Sequence, residues 1–239
     1  MSISIHSAIT VPEGDGVTVK RLMPVANLRN FDPFVLWDHF DISGGGFPDH
    51  PHRGFEAITY LFDGGMKHTD NLGNHGTIHG GGAQRFTAGR GLVHSEFPDG
   101  RAHGIQLWIN LPRRLKSLEP AYQQLLGKEI HESCKDGVTV RTIVRADSAI
   151  ELHTSVEYLD IQLQPGSKLK QDIVSDYRGF IYAVTGSFTA NGIEVNTGQA
   201  AYIENESEIE LNSEQGTRLM WCLGKPHHQP IFQHGPFVD

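Results

Sequence analysis

Two short phrases in the first half of the chain carry residue types that bind metals. One is GGGFPDHPHRGFE over residues 44–56, and the other is GRGLVHSE over residues 89–96. In each, two potential ligands stand at i and i+2. Successive side chains of a β-strand alternate faces, so His50 and His52 project together, as do His94 and Glu96. If the two strands approach inside a barrel, three imidazoles and a carboxylate converge. Such a donor set contains no thiolate, suits a divalent transition metal and leaves coordination positions open. Fe(II) fits it best, with Mn, Co, Ni, Cu and Zn as alternatives. Spacing alone leaves the carboxylate ambiguous. Glu56 stands four residues beyond His52 and shares its face by parity, so it is either the alternative ligand or a support behind the ligands.

The segments around these phrases read as strands. Residues 2–10 partly alternate, residues 16–24 do so more clearly, and residues 34–41 form an apolar run rich in aromatic and β-branched types. Residues 54–65 begin at the first histidine pair and end in Gly64-Gly65, the form of a strand leaving a site for a turn. A polar, glycine-rich stretch from Lys67 to Gly82 suggests loops and short strands. Residues 84–97 carry the second phrase, and residues 102–111 form another strand ended by Pro112. From Arg113 to Gly127 strand formers thin out, which suggests an irregular or partly helical connector. Strand patterns return from Gly137 at short intervals, and Asn191-Gly192 is a strong hairpin signal. Many short strands with almost no helix indicate an all-β sandwich or barrel.

A weak repeat links the halves. Tyr60-LFDGG and Tyr182-AVTGS both read as a strand ending in a glycine turn, each followed by a further strand and a glycine at Gly82 or Gly198. No H-x-H precedes Phe180, so one metal site is expected, in the first half. The composition agrees: residues 1–125 hold 9 of the 14 histidines and 17 of the 27 glycines, whereas residues 126–239 hold 16 acidic against 9 basic residues.

The formal charge of −8 argues against binding nucleic acid through its phosphates. Two cysteines, Cys134 and Cys222, do not make a disulfide framework in a chain of 239 residues. No signal peptide is visible and no apolar run approaches the roughly 18–20 residues that span a bilayer. A cytoplasmic protein with no membrane partner is the expectation.

The first phrase fills a known pattern of glycine, five residues, H-x-H, three residues, glutamate and a later glycine, through Gly44, His50, His52, Glu56 and Gly64. The second places Gly91 three residues before His94, although Gly89 and Pro98 stand where that pattern has proline and asparagine. The chain therefore resembles the cupin superfamily. FPDHPHRGFE from Phe47, TAGRGLVHSE from Thr87, QLWINLP from Gln106 and GKPHHQPIFQHGPFV from Gly224 narrow the resemblance to the pirin family of two-domain cupins. Gln229 departs from that family's usual acidic residue. The resemblance implies two tandem cupin barrels of the double-stranded β-helix or jelly-roll type: a metal-binding domain over 1–125 and a metal-free domain over 126–239. The first strand is free to pair with the C-terminal barrel. It also implies His50, His52, His94 and Glu96 as the ligands, with Glu96 preferred over Glu56.

Some pirins are quercetin 2,3-dioxygenases, so the resemblance implies a small aromatic substrate, a flavonol or similar enediol, and O₂. A carboxylate, Glu96 or, if it is free, Glu56, would accept the substrate's hydroxyl proton before oxidative ring opening with loss of CO. A second implied function is an iron-dependent redox sensor that binds a regulatory protein partner. Arg90 is a candidate substrate contact or a structural residue of its turn. The aromatic residues Phe34, Trp37, Phe40 and Phe47 read first as core and second as a pocket lining. His39, His68, His75, His79 and His103 read as structural or exposed, and His227, His228 and His234 as exposed loop residues. Gly44–Gly46 and Gly80–Gly82 lack the strand–loop–helix context of phosphate loops.

Overall fold

The computed structural model of the chain describes residues 3–239. Ser2, where the first expected strand begins, lies outside the described residues. Antiparallel strands dominate, as the two-residue alternation requires, and among the described residues helix is confined to 3-10 turns at Arg113–Leu115 and Gly127–Glu129. Among the described residues no helix is long and apolar enough to cross a membrane.

Contacts divide the chain into two compact units that are discontinuous in sequence. One comprises Ile9–Ile130, Leu152–Thr154 and His227–Asp239; the other comprises the residues up to Ala8, His131–Glu151 and Ser155–Pro226. The strand Ser4–Ser7 pairs with Gln199–Ile203 in the second unit. With these two all-β units the chain has the two-domain cupin architecture expected from the sequence.

The histidine-bearing unit is a nine-stranded sheet. Its main path runs Ala121–Leu125, Ala83–Thr87, Phe55–Asp70, Leu92–Asn110, Phe34–Ile42, Val17–Met23 and Ile9–Glu13. The short strand Phe47–His52 pairs with Leu92–Asn110, and His75–His79 pairs with Phe55–Asp70. The segment expected to be a connector thus contributes a strand, Ala121–Leu125, paired with Ala83–Thr87.

A strand on the site also departs from expectation. Gly64-Gly65 does not end a strand: Phe55–Asp70 runs through it, with register shifts between Leu61 and Asp63 and between Gly64 and Met66. Gly64 has φ +77°, and a Cβ there would strike the Arg101 carbonyl, so only glycine lets the chain bulge and continue. The second half repeats this device. Arg178–Ala190 runs through Gly186, with φ +71° and a register shift between Ala183 and Thr185.

Bulges change which residues face inward. Before Gly64, Phe55 and Ala57 pack in the core and Thr59 reaches Glu96; after it, Met66 packs inward and His68 meets His94. Inward positions are odd-numbered on one side of the bulges and even-numbered on the other. Among the described residues the second unit has no comparable cluster of histidines and carboxylates. Its hydrophobic core is built from side chains such as Leu159, Ile161, Ile181, Phe188, Leu219 and Trp221, and its buried carboxylates are paired with arginines, Asp160 with Arg218 and Glu157 with Arg145. Each fully buried aliphatic or aromatic side chain of this kind contributes roughly 1.5–3 kcal/mol. The hairpin at Asn191-Gly192 forms as expected, with positive φ at both residues.

Candidate metal centre

Pairing of Phe47–His52 with Leu92–Asn110 sets His50 directly opposite His94. His50, His52 and His94 each offer a ring nitrogen within 4.8 Å of the others. Their remaining nitrogens are engaged. His50 Nδ1 lies 2.7 Å from the Pro48 carbonyl and His52 Nδ1 lies 3.2 Å from the Pro236 carbonyl, so in each ring Nδ1–H donates and Nε2 keeps its lone pair. His94 Nδ1 faces His68 Nδ1 at 3.4 Å, and His68 Nε2 faces Asp70 Oδ2 at the same distance. Asp70 accepts from His68, so the free lone pair of His68 is on Nδ1 and His94 donates to it. His94 Nε2 is thereby left as a lone pair as well.

Two observations show that these residues fit a metal ion. His52 Nε2 is buried with no hydrogen-bond partner. His94 Nε2 and His50 Nε2 lie 3.0 Å apart, although the network assigns a lone pair to both. Lone pairs at that distance repel unless a cation lies among them, and ligating histidines characteristically donate their other N–H to a carbonyl or carboxylate. Burial, reinforced by the neighbouring imidazoles, lowers the pKa of His52 to about 3 and that of His94 to about 2, which keeps both rings neutral and able to donate a lone pair.

Glu96 is buried and groups with His94 and His68 rather than with all three histidines of the first set. Its carboxylate is held by three donors: Gln84 Nε2 at 2.5 Å and Thr59 Oγ1 at 3.2 Å on Oε1, and Gln106 Nε2 at 2.7 Å on Oε2. Trp108 Nε1 donates to Gln106 Oε1 at 3.0 Å, which turns the Gln106 amide nitrogen towards Glu96.

Glu56 does not share the face of His52. Parity fails because His52 ends one strand and Phe55 begins the next, with Gly54 between them at φ +85°. It is Phe55 that meets His52, ring centroids 5.1 Å apart. Glu56 points to the opposite side, where it accepts from Thr87 Oγ1 at 2.8 Å and from the His153 backbone N–H and Nδ1 at 2.8 and 2.9 Å. Arg90 is largely exposed and paired with Glu119, and it does not line the cavity beside the histidines.

That cavity has a volume of about 520 Å³, within the roughly 300–1,000 Å³ typical of small-molecule sites. His50 and His52 form part of its wall, with Leu36, Phe40, Phe47, Met66 and Trp108 as apolar surfaces. Of the four aromatic residues expected to act together, Phe40 and Phe47 line the cavity, while Phe34 and Trp37 are fully buried core. Charge enters through Arg21, which holds Asp38 with two bonds of 2.8 and 2.6 Å. Pro236 and Gln233 close another side, so the C-terminal segment is part of the wall.

His68 was not legible as a site residue. Its side chain is fully buried, stacked on Tyr122 at 4.5 Å between centroids. The signal for it lies in the pairing of His68 with Glu96, which becomes apparent only once the bulges at Gly64 fix the register.

Comparison with known proteins matches a profile described as Pirin over residues 16–109 and one described as Pirin C-terminal cupin domain over residues 158–239. Human pirin is 39% identical over 240 residues, covering 95% of this chain and 83% of pirin. A Pseudomonas aeruginosa protein provisionally named a quercetin 2,3-dioxygenase is 36% identical over 257 aligned residues, covering 99% of this chain and 90% of its own. Among solved structures, a quercetin 2,3-dioxygenase from Acinetobacter baumannii superposes with a TM-score of 0.91 at 28% identity, covering 98% of this chain and 90% of that one. With its fold, its two matched domains and relatives that align over nearly its whole length, the chain belongs to the pirin family.

Proposed function

We propose that the chain is a metal-dependent dioxygenase, using Fe(II), that opens the ring of a flavonol or a similar enediol or phenolic substrate in the manner of quercetin 2,3-dioxygenase. The observation that carries this reading is the convergence of three Nε2 lone pairs, those of His50 and His52 in the wall of a largely apolar cavity sized for a small aromatic molecule and that of His94 beside them. His50, His52 and His94 would hold the ion, with Glu96 as the fourth ligand. Iron(II), when bound, supplies the one-electron chemistry by which O₂ reacts with a closed-shell phenolate.

The chain's own residues account for the remainder. Three of the roughly four acceptor positions of the Glu96 carboxylate are filled by Gln84, Thr59 and Gln106. The remaining one is directional, and it is the position for the ion or for the proton of a substrate hydroxyl. Leu36, Phe40, Phe47 and Trp108 offer flat or apolar surfaces to an aromatic ring and exclude water from it. Glu56, with its acceptors committed to Thr87 and His153, supports the strand rather than the ion.

The test is O₂ uptake by protein loaded anaerobically with Fe(II), on addition of quercetin, with His94→Ala as control. Catalytic uptake abolished by the substitution supports the reading. No uptake by protein shown to hold iron refutes quercetin as the substrate and shifts the reading to a different substrate or to the iron-dependent regulatory protein.

A further inference from the structure

Behind the candidate ligands lies a line of buried polar groups that the proposed chemistry does not use. His68 stands between His94 and Asp70, with 3.4 Å on each side. Its side chain is 0% exposed and that of Asp70 is 1% exposed. Asp70 is immobilised independently: Oδ1 accepts from the backbone N–H of Leu72 and of Asn74, each at 2.9 Å, and Oδ2 accepts from Asn74 Nδ2 at 2.8 Å. These bonds close the turn between Phe55–Asp70 and His75–His79 on the carboxylate, so its position is set by the local chain. His68 is held in turn by the Tyr122 ring, stacked at 22°.

We propose that His68 and Asp70 are positioning residues that tune the metal through His94, the Asp70 carboxylate polarising His68 and His68 accepting the Nδ1–H of His94. This rests on the metal reading of the site. A ligating histidine ordinarily hands its second N–H to a carbonyl or a carboxylate, as His50 and His52 do to Pro48 and Pro236. His94 is different: its acceptor is an imidazole backed by a carboxylate. An acceptor polarised by an anion increases the electron density that His94 gives the ion. It therefore favours the higher oxidation state, and it fixes the ring orientation that points Nε2 at His50. A histidine with a merely structural place in the core would do neither.

The experiment uses the full chain with Co(II) as the probe metal, followed by titration and by the d–d absorption spectrum, and separately the Fe(III)/Fe(II) midpoint potential. His68→Phe keeps the stack on Tyr122 and removes the acceptor. It is expected to weaken Co(II) binding by about 10- to 100-fold and to move the d–d bands, and His68→Gln, which can still accept from His94, is expected to recover most of both. Asp70→Asn retains an oxygen for the Leu72 and Asn74 backbone but loses the anion, and is expected to raise the midpoint potential. Wild-type Co(II) affinity and spectrum in His68→Phe, or an unchanged potential in Asp70→Asn, would overturn the proposal while leaving the metal reading standing. Should His68→Phe fail to fold, the potential of Asp70→Asn decides alone. Failure of the wild-type chain to bind Co(II) would overturn both.

Discussion

Replacing Glu56 by glutamine separates the two carboxylates that sequence spacing leaves equivalent. Glu56 is fully buried and receives three hydrogen bonds, from the Thr87 hydroxyl and from two N–H groups of His153. Bonds to an ionised acceptor contribute about 1.5–3 kcal/mol and neutral ones about 0.5–1.5. Loss of the charge therefore removes roughly 1 kcal/mol per bond, about 3 kcal/mol as an upper limit. The amide is close to isosteric, can still serve the Thr87 hydroxyl, and spares the cost of a buried charge, so a net loss of about 1–2 kcal/mol is expected. For a chain of this length that lowers Tm by roughly 2–8 °C. Metal content after reconstitution, measured by mass spectrometry, should equal wild type, whereas Glu96→Gln should lose most of its metal. Circular dichroism supplies the Tm. A Glu56→Gln protein that melts as wild type but comes out of reconstitution without metal would refute the assignment of roles.

Other perturbations probe the frame around the site. In the metal-free protein burial holds His39 and His52 near pKa 3 and His94 near 2, whereas the unfolded chain takes up those protons near 6.5. Stability should be full above pH 6.5 and fall as pH drops towards 3, by up to about 1.4 kcal/mol per pH unit for each histidine, and a Tm that is flat from pH 6.5 to 4 would contradict this. In Gly54→Ala the new Cβ meets the Val238 carbonyl at a φ of +85°, so the C-terminal segment should detach and metal affinity fall about tenfold, as read by titration. Trp108→Phe keeps the stack on Phe55 but removes the donor that orients Gln106; about 1 kcal/mol of stability should go, with weaker metal binding through a less constrained Glu96. Unchanged affinity in Trp108→Phe would show that Gln106 needs no such orientation.

What the sequence made legible were relations within one strand. The i, i+2 spacing of His50 with His52 and of His94 with Glu96 survives because each pair lies inside an uninterrupted strand. Relations that cross a break did not survive. Glu56 lost its parity with His52 at Gly54, and His68 reaches the interior only through the bulges at Gly64, which are set by pairing with Leu92–Asn110. A glycine pair reads equally well as a turn or as a bulge, and only the partner strand decides. For the same reason residues 84–97 and 102–111 read as separate segments, although Leu92–Asn110 is one strand, continuous through Pro98 and Gly100. Contacts of large sequence separation, such as His153 on Glu56 and Pro236 on His52, leave no local pattern at all.

The Pro236 carbonyl has a bearing on the order in which the molecule is made. His52 receives its orienting partner from a residue 184 positions later, in the segment His227–Asp239 that belongs with Ile9–Ile130. A ribosome that has just finished Ile130 must add most of the second unit before that segment exists, on the order of 5–20 s at about 5–20 residues per second. During that interval the nascent first unit holds its histidines without the carbonyl that fixes one of them. On the proposed metal reading, full-affinity capture would wait for the segment His227–Asp239 rather than for folding of the strands that bear the ligands.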